Sequence, residues 1–294
     1  MISIFERNMS MKYGLVMEGG AMRGLFTAGV TDVLMENGIE FDGAVGVSAG
    51  ACFGCNYKSR QRGRAIRYNL RFCRDKRYCS VRSLIKTGDM FGGEFCYHTL
   101  PDKLDIFDYD AYNNNPMEFY VVCTDVESGR PVYKRLNTVN SEGLEWIRAS
   151  ASMPLAAKIV EIDGRKFLDG GISDSIPLRF MENNGYNKNI VILTQPRDYE
   201  KKDSKSVSLV KKAYRKYPKL VGTYANRPKM YNEQLRHIRQ SEKQGKVYVI
   251  APPAALPVGH VEHNQDKLLE VYRIGRNTAR EHLDEILKFM NKGE

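Results

Sequence analysis

Apolar positions along the chain follow two alternating rhythms. Tyr13–Met17 (YGLVM) is a strand-length apolar run that stops at Glu18-Gly19-Gly20. Leu25, Ala28, Val33 and Leu34 then share the broad face of a helix that Asn37-Gly38 ends. Residues 43–47 (GAVGV) have the length of a second buried strand, and Ser48 opens a helix of small residues reaching Tyr57. Residues 117–126 (MEFYVVCTDV) predict a strand that pairs with Pro131–Leu136 across Glu127-Ser128-Gly129-Arg130. A helix over 141–151 precedes two short strands, Lys158–Ile162 and Lys166–Leu168, hinged at Asp163-Gly164. There follow a helix from Pro177, the strand Asn189–Thr194, a basic helical stretch over 201–243, the strand Val247–Ile250 and a last helix over 263–290. Strands alternating with helices predict an α/β fold with a mostly parallel sheet.

Composition narrows the class without changing it. At 294 residues, 42% hydrophobic and 27% charged, the chain is neither disordered nor fibrous. No apolar run reaches the roughly 18–20 residues of a membrane span. Residues 1–14 lack the apolar core and cleavage site of a leader, so a cytoplasmic protein is expected. Six cysteines at irregular spacing then read as reduced thiols. Cys52-x-x-Cys55 has no second Cys or His pair at zinc spacing and reads as small core residues on a helix. No metal or organic cofactor is implied.

Charge adds a candidate partner. The net charge of +10 is concentrated in two blocks: residues 58–86 hold eleven basic residues and one acid, and residues 197–246 hold fifteen basic and five acidic. In the first block Arg64, Arg67, Arg71 and Arg74 recur at helical spacing over Arg62–Asp75, behind an apolar face of Ile66, Leu70 and Cys73. Such a stripe suits peripheral contact with an anionic membrane surface; the same pattern also describes a solvated helix back paired with the protein's own acids. The second block interleaves Tyr214, Tyr217, Tyr224 and Tyr231 with cations, a composition compatible with nucleic-acid binding as an accessory property, although it matches no named motif for it.

Three short motifs carry chemistry. Glu18-Gly19-Gly20-Ala21-Met22-Arg23-Gly24 sits between a strand and a helix, where free backbone N–H groups and the helix dipole favour an anion, either a phosphate or an oxyanion. Gly46-Val47-Ser48-Ala49-Gly50 is a G-x-S-x-G after a buried strand, the form of a nucleophile elbow. Asp169-Gly170-Gly171 by itself is equally an Asx-type turn.

In this order and spacing, the three motifs resemble the patatin-like phospholipases. The resemblance spans roughly residues 13–195, including Ala149–Pro154 (ASASMP) ahead of the aspartate. It implies a three-layer α/β sandwich, a lipid or phospholipid ester substrate, Ser48 as nucleophile, Asp169 as general base, and Gly19, Gly20, Ala21 and Arg23 as the oxyanion loop. Residues 1–196 are then the catalytic core, and 197–294 a basic helical extension with one strand and a C-terminal helix packed on that core. The family loop has three consecutive glycines, and here the third is Ala21. A β-carbon penalises positive φ, so Ala21 is expected at negative φ if its N–H serves an oxyanion, with a slower reaction or a re-set loop as the consequence. An ordinary aspartate is a weak base, so burial that raises the pKa of Asp169 would help it.

Two other enzymes compete on the residues alone. An α/β-hydrolase triad would use Ser48, Asp169 and either His260 or His263, but that fold places its elbow after several strands and here only one precedes it. A dinucleotide-binding turn over 13–24 would need glycine where Ala21 stands, and an acid where the second strand instead meets Ser48.

Overall fold

A computed structural model describes residues 11–291. Residues 1–10 and 292–294, with most of the segment read for a leader and the outer ends of both domain bounds, lie outside the described residues. Eight strands form one sheet: β1 (Tyr13–Met17), β2 (Gly43–Val47), β3 (Glu118–Asp125), β4 (Pro131–Arg135), β5 (Val160–Ile162), β6 (Arg165–Asp169), β7 (Lys188–Ile192) and β8 (Val247–Ile250). Hydrogen-bonded neighbours run β5, β6, β3, β2, β1, β7, β8, with β4 on β3. β3, β2, β1, β7 and β8 are parallel; β4, β5 and β6 make antiparallel pairs.

Alternation along these strands separates two cores. Leu15, Met17, Ala44, Phe119, Val121, Ile190 and Ile192 face one side, while Val16, Val45, Val47, Val122, Val191 and Leu193 face the other. The helices are α1 (Gly24–Glu36), α2 (Ala49–Lys58), α3 (Arg64–Phe72), α4 (Val81–Thr87), α5 (Tyr109–Asn114), α6 (Leu144–Ser150), α7 (Leu178–Asn183), α8 (Val207–Ala213), α9 (Pro218–Lys243), α10 (Gln265–Glu281) and α11 (Leu283–Asn291). Helices α1, α2, α6 and α10 cover the first face; α7 and α9 cover the second. The result is the expected three-layer α/β sandwich. Beyond residue 197 the chain completes it: β8 extends the sheet beside β7, and α10 lies against α1 so closely that a β-carbon on Gly29 would stand 2.2 Å from the Tyr272 carbonyl oxygen.

Three expectations change. The helical stretch over 201–243 is two helices, α8 and α9, because Pro218 lacks an N–H and starts the second. The last helix divides at His282. Short helices α4 and α5, and a π-helical Phe95–Leu104 that contains Pro101, were not foreseen; they offer too few turns to show a period.

The arginine stripe loses its first member. Arg64 is 4% exposed; its guanidinium donates to the Asp105 carbonyl and to Asn56 Oδ1. Arg67 binds the Asp105 carboxylate with two bonds of 2.8 Å, and Arg71 donates to the Leu104 carbonyl. Three of the four arginines therefore bond the 104–105 segment, Arg64 from a buried position, while Arg67, Arg71 and Arg74 stay exposed.

Candidate active site

Ser48 stands where β2 turns into α2. Its backbone has φ 54° and ψ −120°, a conformation that costs a non-glycine residue about 1–3 kcal/mol. The flanking glycines serve close packing, since neither has positive φ. A β-carbon on Gly46 would lie 2.6 Å from Ala51 Cα, and one on Gly50 would lie 2.3 Å from the Met17 carbonyl oxygen. The turn is held by Ser150. The Ser48 N–H donates to Ser150 Oγ (2.9 Å), and that hydroxyl donates to the Val122 carbonyl (2.6 Å). Ser48 itself is 8% exposed, at the head of α2, where unpaired N–H groups favour negative charge.

Sheet register brings Asp169 to it. β4 runs along one edge of β3 over Tyr120–Thr124. The other edge is shared end to end: β2 takes residues 118–122 and β6 takes 123–125, in the opposite direction. Val47 pairs with Val122 and Asp169 with Cys123, so the tips of β2 and β6 meet. The Asp169 backbone is fixed by its N–H to the Ser152 carbonyl (2.8 Å) and by Thr124 Oγ1 donating to its carbonyl (2.8 Å). Its carboxylate accepts the Gly171 N–H (2.7 Å). Burial raises its pKa; Arg227, the Ser48 hydroxyl and the Gly171 N–H oppose that in part.

The glycine loop closes the third side. Glu18 is buried, and its carboxylate accepts the Thr194 N–H (2.6 Å) and the Tyr231 hydroxyl (2.7 Å), while Thr194 Oγ1 donates to the Gly19 carbonyl (2.8 Å). Desolvation raises the pKa of Glu18. Ala21 opens a 3-10 turn at φ 48°. The expected negative φ is therefore not found; the loop accepts the strain of a left-handed alanine, about 1–2 kcal/mol. Among the described residues, the Gly19, Gly20 and Ala21 N–H groups have no protein acceptor.

Two spaces open from Ser48. One is an apolar cavity of about 120 Å³ lined by Met22, Cys52, Phe53, Tyr97, Leu100, Ile147 and Met153. Burial pushes the Cys52 thiol up to about 12, so it is a neutral wall residue. The other is a wider cleft of about 510 Å³, of mixed polar and apolar lining, that contains Ser48, Asp169, Arg23, Lys201, Arg227 and His260.

Residues 15–181 match the family described as patatin-like phospholipase. The chain belongs to that family. Residues 217–291 match a second family, described as a domain of unknown function, DUF6363. Uncharacterized protein YjjU of Escherichia coli K12 is 26% identical over 291 residues, which is 96% of this chain and 80% of that protein. Lysophospholipase nte1 of Aspergillus terreus is 32% identical over 185 residues, 58% of this chain but 11% of that much longer protein. The structure of VipD from Legionella pneumophila overlays on 93% of this chain and 67% of its own, with a TM-score of 0.47 and 11% identity. Membership makes a lipid acyl hydrolase the expected type of activity.

Within this patatin-like fold, the motif residues Ser48, Asp169, Gly19, Gly20, Ala21 and Arg23 all line one cleft. Of the five histidines, His98, His237 and His282 pair with Glu145, Glu182 and Glu285. His263 contacts the Cys73 carbonyl. His260 reaches the cleft, where desolvation, Arg23, Arg227 and Lys201 lower its pKa. Five further residues belong to the site without a role legible in the sequence: Glu18 and Tyr231, which stand in the glycine-loop motif and the basic block, and Ser150, Lys201 and Arg227. Ser150 lay within the ASASMP segment, but nothing in that string says which serine turns toward the elbow. Among the described residues, no helix is long and apolar enough to cross a membrane.

Proposed function

We propose that the protein is a serine acyl hydrolase of phospholipid or lysophospholipid esters, with Ser48 as nucleophile and Asp169 as base. Asp169 accepts the Ser48 proton as Oγ attacks the ester carbonyl. The oxyanion is received by N–H groups of the Gly19–Ala21 loop, with Arg23 beside it. Collapse expels the alcohol, which takes the proton back from Asp169. The same carboxylate then deprotonates a water that cleaves the acyl-enzyme, releasing the fatty acid and restoring Ser48. The observation that carries this reading is the meeting of the β2 and β6 tips, which sets a strained serine beside a buried carboxylate at the mouth of an apolar cavity.

The raised pKa of Asp169 improves it as a base near neutral pH. A second carboxylate or a histidine is not required. The apolar cavity, at about 120 Å³ close to the roughly 150 Å³ that takes a benzene-sized guest, receives the first carbons of the acyl chain next to the ester. Peripheral contact with an anionic bilayer moves from the arginine row to α4, where Val81 and Ile85 are 63% and 81% exposed beside Arg82 and Lys86. Helix α4 leads directly to Met90 on the cleft.

A fluorophosphonate probe tests the nucleophile. Ser48→Ala is expected to lose both labelling and ester hydrolysis. Asp169→Asn is expected to behave like it in turnover, while His260→Ala and His263→Ala continue to turn over. A histidine variant as inactive as Ser48→Ala would replace the dyad with a triad.

A further inference from the structure

The wider cleft concentrates more positive charge than the Arg23 that stands beside the oxyanion. Arg23 comes from the glycine loop, Lys201 from the segment after β7, and Arg227 and His260 from the region that matches the domain of unknown function. Arg227 Nη2 lies 3.2 Å from where a Gly171 β-carbon would be, directly over the Asp169 turn. Among the described residues, Nε of Arg23 and Nε of Arg227 are buried without a hydrogen-bond partner. The Lys201 ammonium rests on the Tyr231 ring, 4.6 Å from its centre. Burial, Arg227 and Arg23 push it down to about 8. Two carboxylates face these cations, Glu18 attracting Arg23 and Lys201 and Asp169 attracting Arg227, and they are outnumbered, since Lys202 lines the same cleft.

Like charges gathered in a half-buried cleft repel one another unless an anion joins them. A phosphate suits the set, because guanidinium groups offer paired donors and an ammonium a point charge. Ala21, Ser48 and Met153 line both the cleft and the apolar cavity. An ester carbonyl at Ser48 therefore has an apolar space on one side and a cationic space on the other.

We propose that Arg227 and Lys201, with Arg23, form a subsite for a phosphate on the alcohol half of the substrate, so that acyl glycerophosphates are hydrolysed in preference to neutral acylglycerols. The proposal rests on Ser48 being the nucleophile. It gives the C-terminal region a function: it supplies the headgroup side of the site.

The test compares kcat/KM for a lysophosphatidate and for the monoacylglycerol of the same chain. The unaltered enzyme is expected to favour the phosphate substrate by about tenfold or more, as one charged hydrogen-bonding group warrants. That ratio should fall about tenfold in Arg227→Gln and in Lys201→Met, and fall less in Arg227→Lys. The ratio cancels any loss of folded protein. Calorimetric titration of glycerol 3-phosphate and of inorganic phosphate into Ser48→Ala measures the subsite without turnover. Binding of glycerol 3-phosphate that is lost in Ser48→Ala/Arg227→Gln supports the subsite. Inorganic phosphate binding equally well, with no preference between the two lipids, would make it a free-phosphate site and overturn the headgroup assignment. Neither binding nor preference would overturn the subsite, while ester hydrolysis lost in Ser48→Ala would leave the hydrolase reading standing. Phosphate binding in a protein whose Ser48 neither labels nor turns over would do the reverse.

Discussion

Ser150→Ala probes the support of the elbow. Its hydroxyl is fully buried and is the link between the Ser48 N–H and the Val122 carbonyl. Alanine removes the oxygen and orphans a buried donor and a buried acceptor, each worth about 1–3 kcal/mol. Allowing for partial relaxation, the loss is about 2–4 kcal/mol, or roughly 4–8 °C in Tm for a chain of this size. Ser48 is already strained at φ 54°, so loss of the anchor lets the turn relax away from the position that aims Oγ at the ester. A displacement near 1 Å can cost about a hundredfold in rate, so kcat should fall by roughly ten- to a hundredfold with KM little changed. Urea unfolding measures the first effect; p-nitrophenyl ester kinetics and the fluorophosphonate labelling rate measure the second. An unchanged midpoint together with an unchanged labelling rate would refute the argument that this bridge holds the nucleophile.

Three further outcomes follow from the same geometry. Asp169 must be ionised to act, and burial raises its pKa, so the acid limb of kcat/KM should lie above the ordinary carboxylate range and move higher in Arg227→Gln; a limb that stays put would remove Arg227 from the electrostatics of the base. Because its folded pKa is raised, the penalty on Asp169 is absent below the unfolded pKa and develops as pH rises through the folded one. Asp169→Asn, which keeps an acceptor for the Gly171 N–H, should therefore be inactive yet melt higher at pH 7, and calorimetry showing a lower Tm would contradict this. Ile85→Asp should weaken cosedimentation with anionic vesicles and leave hydrolysis of a dispersed short-chain ester unaltered, whereas equal vesicle binding would exclude α4 as the contact.

The sequence by itself determined what depends on near neighbours in the chain. The YGLVM and GAVGV runs, the Glu18–Gly24 loop and the G-x-S-x-G turn are each readable within a few residues, because apolar periodicity and the absence of a β-carbon act locally. Their family order also placed Asp169 in the same cleft as Ser48. The tertiary structure alone decided how these parts meet. Ser48 and Asp169 become neighbours because β2 and β6 share one edge of β3, a fact of strand order and register that no periodicity encodes. It also decided that Ala21 takes positive φ, since Thr194 and Tyr231, distant in sequence, hold Glu18 and Gly19 at the start of the loop. Helical spacing put Arg64 in a basic row, yet the 104–105 segment packs over it and turns it inward. Likewise, the basic composition of residues 197–246 was visible, but which of those cations share the cleft with the nucleophile was not: Arg227 arrives on α9, Lys201 and Lys202 on the segment between β7 and α8, and charge in a sequence carries no direction until packing supplies one.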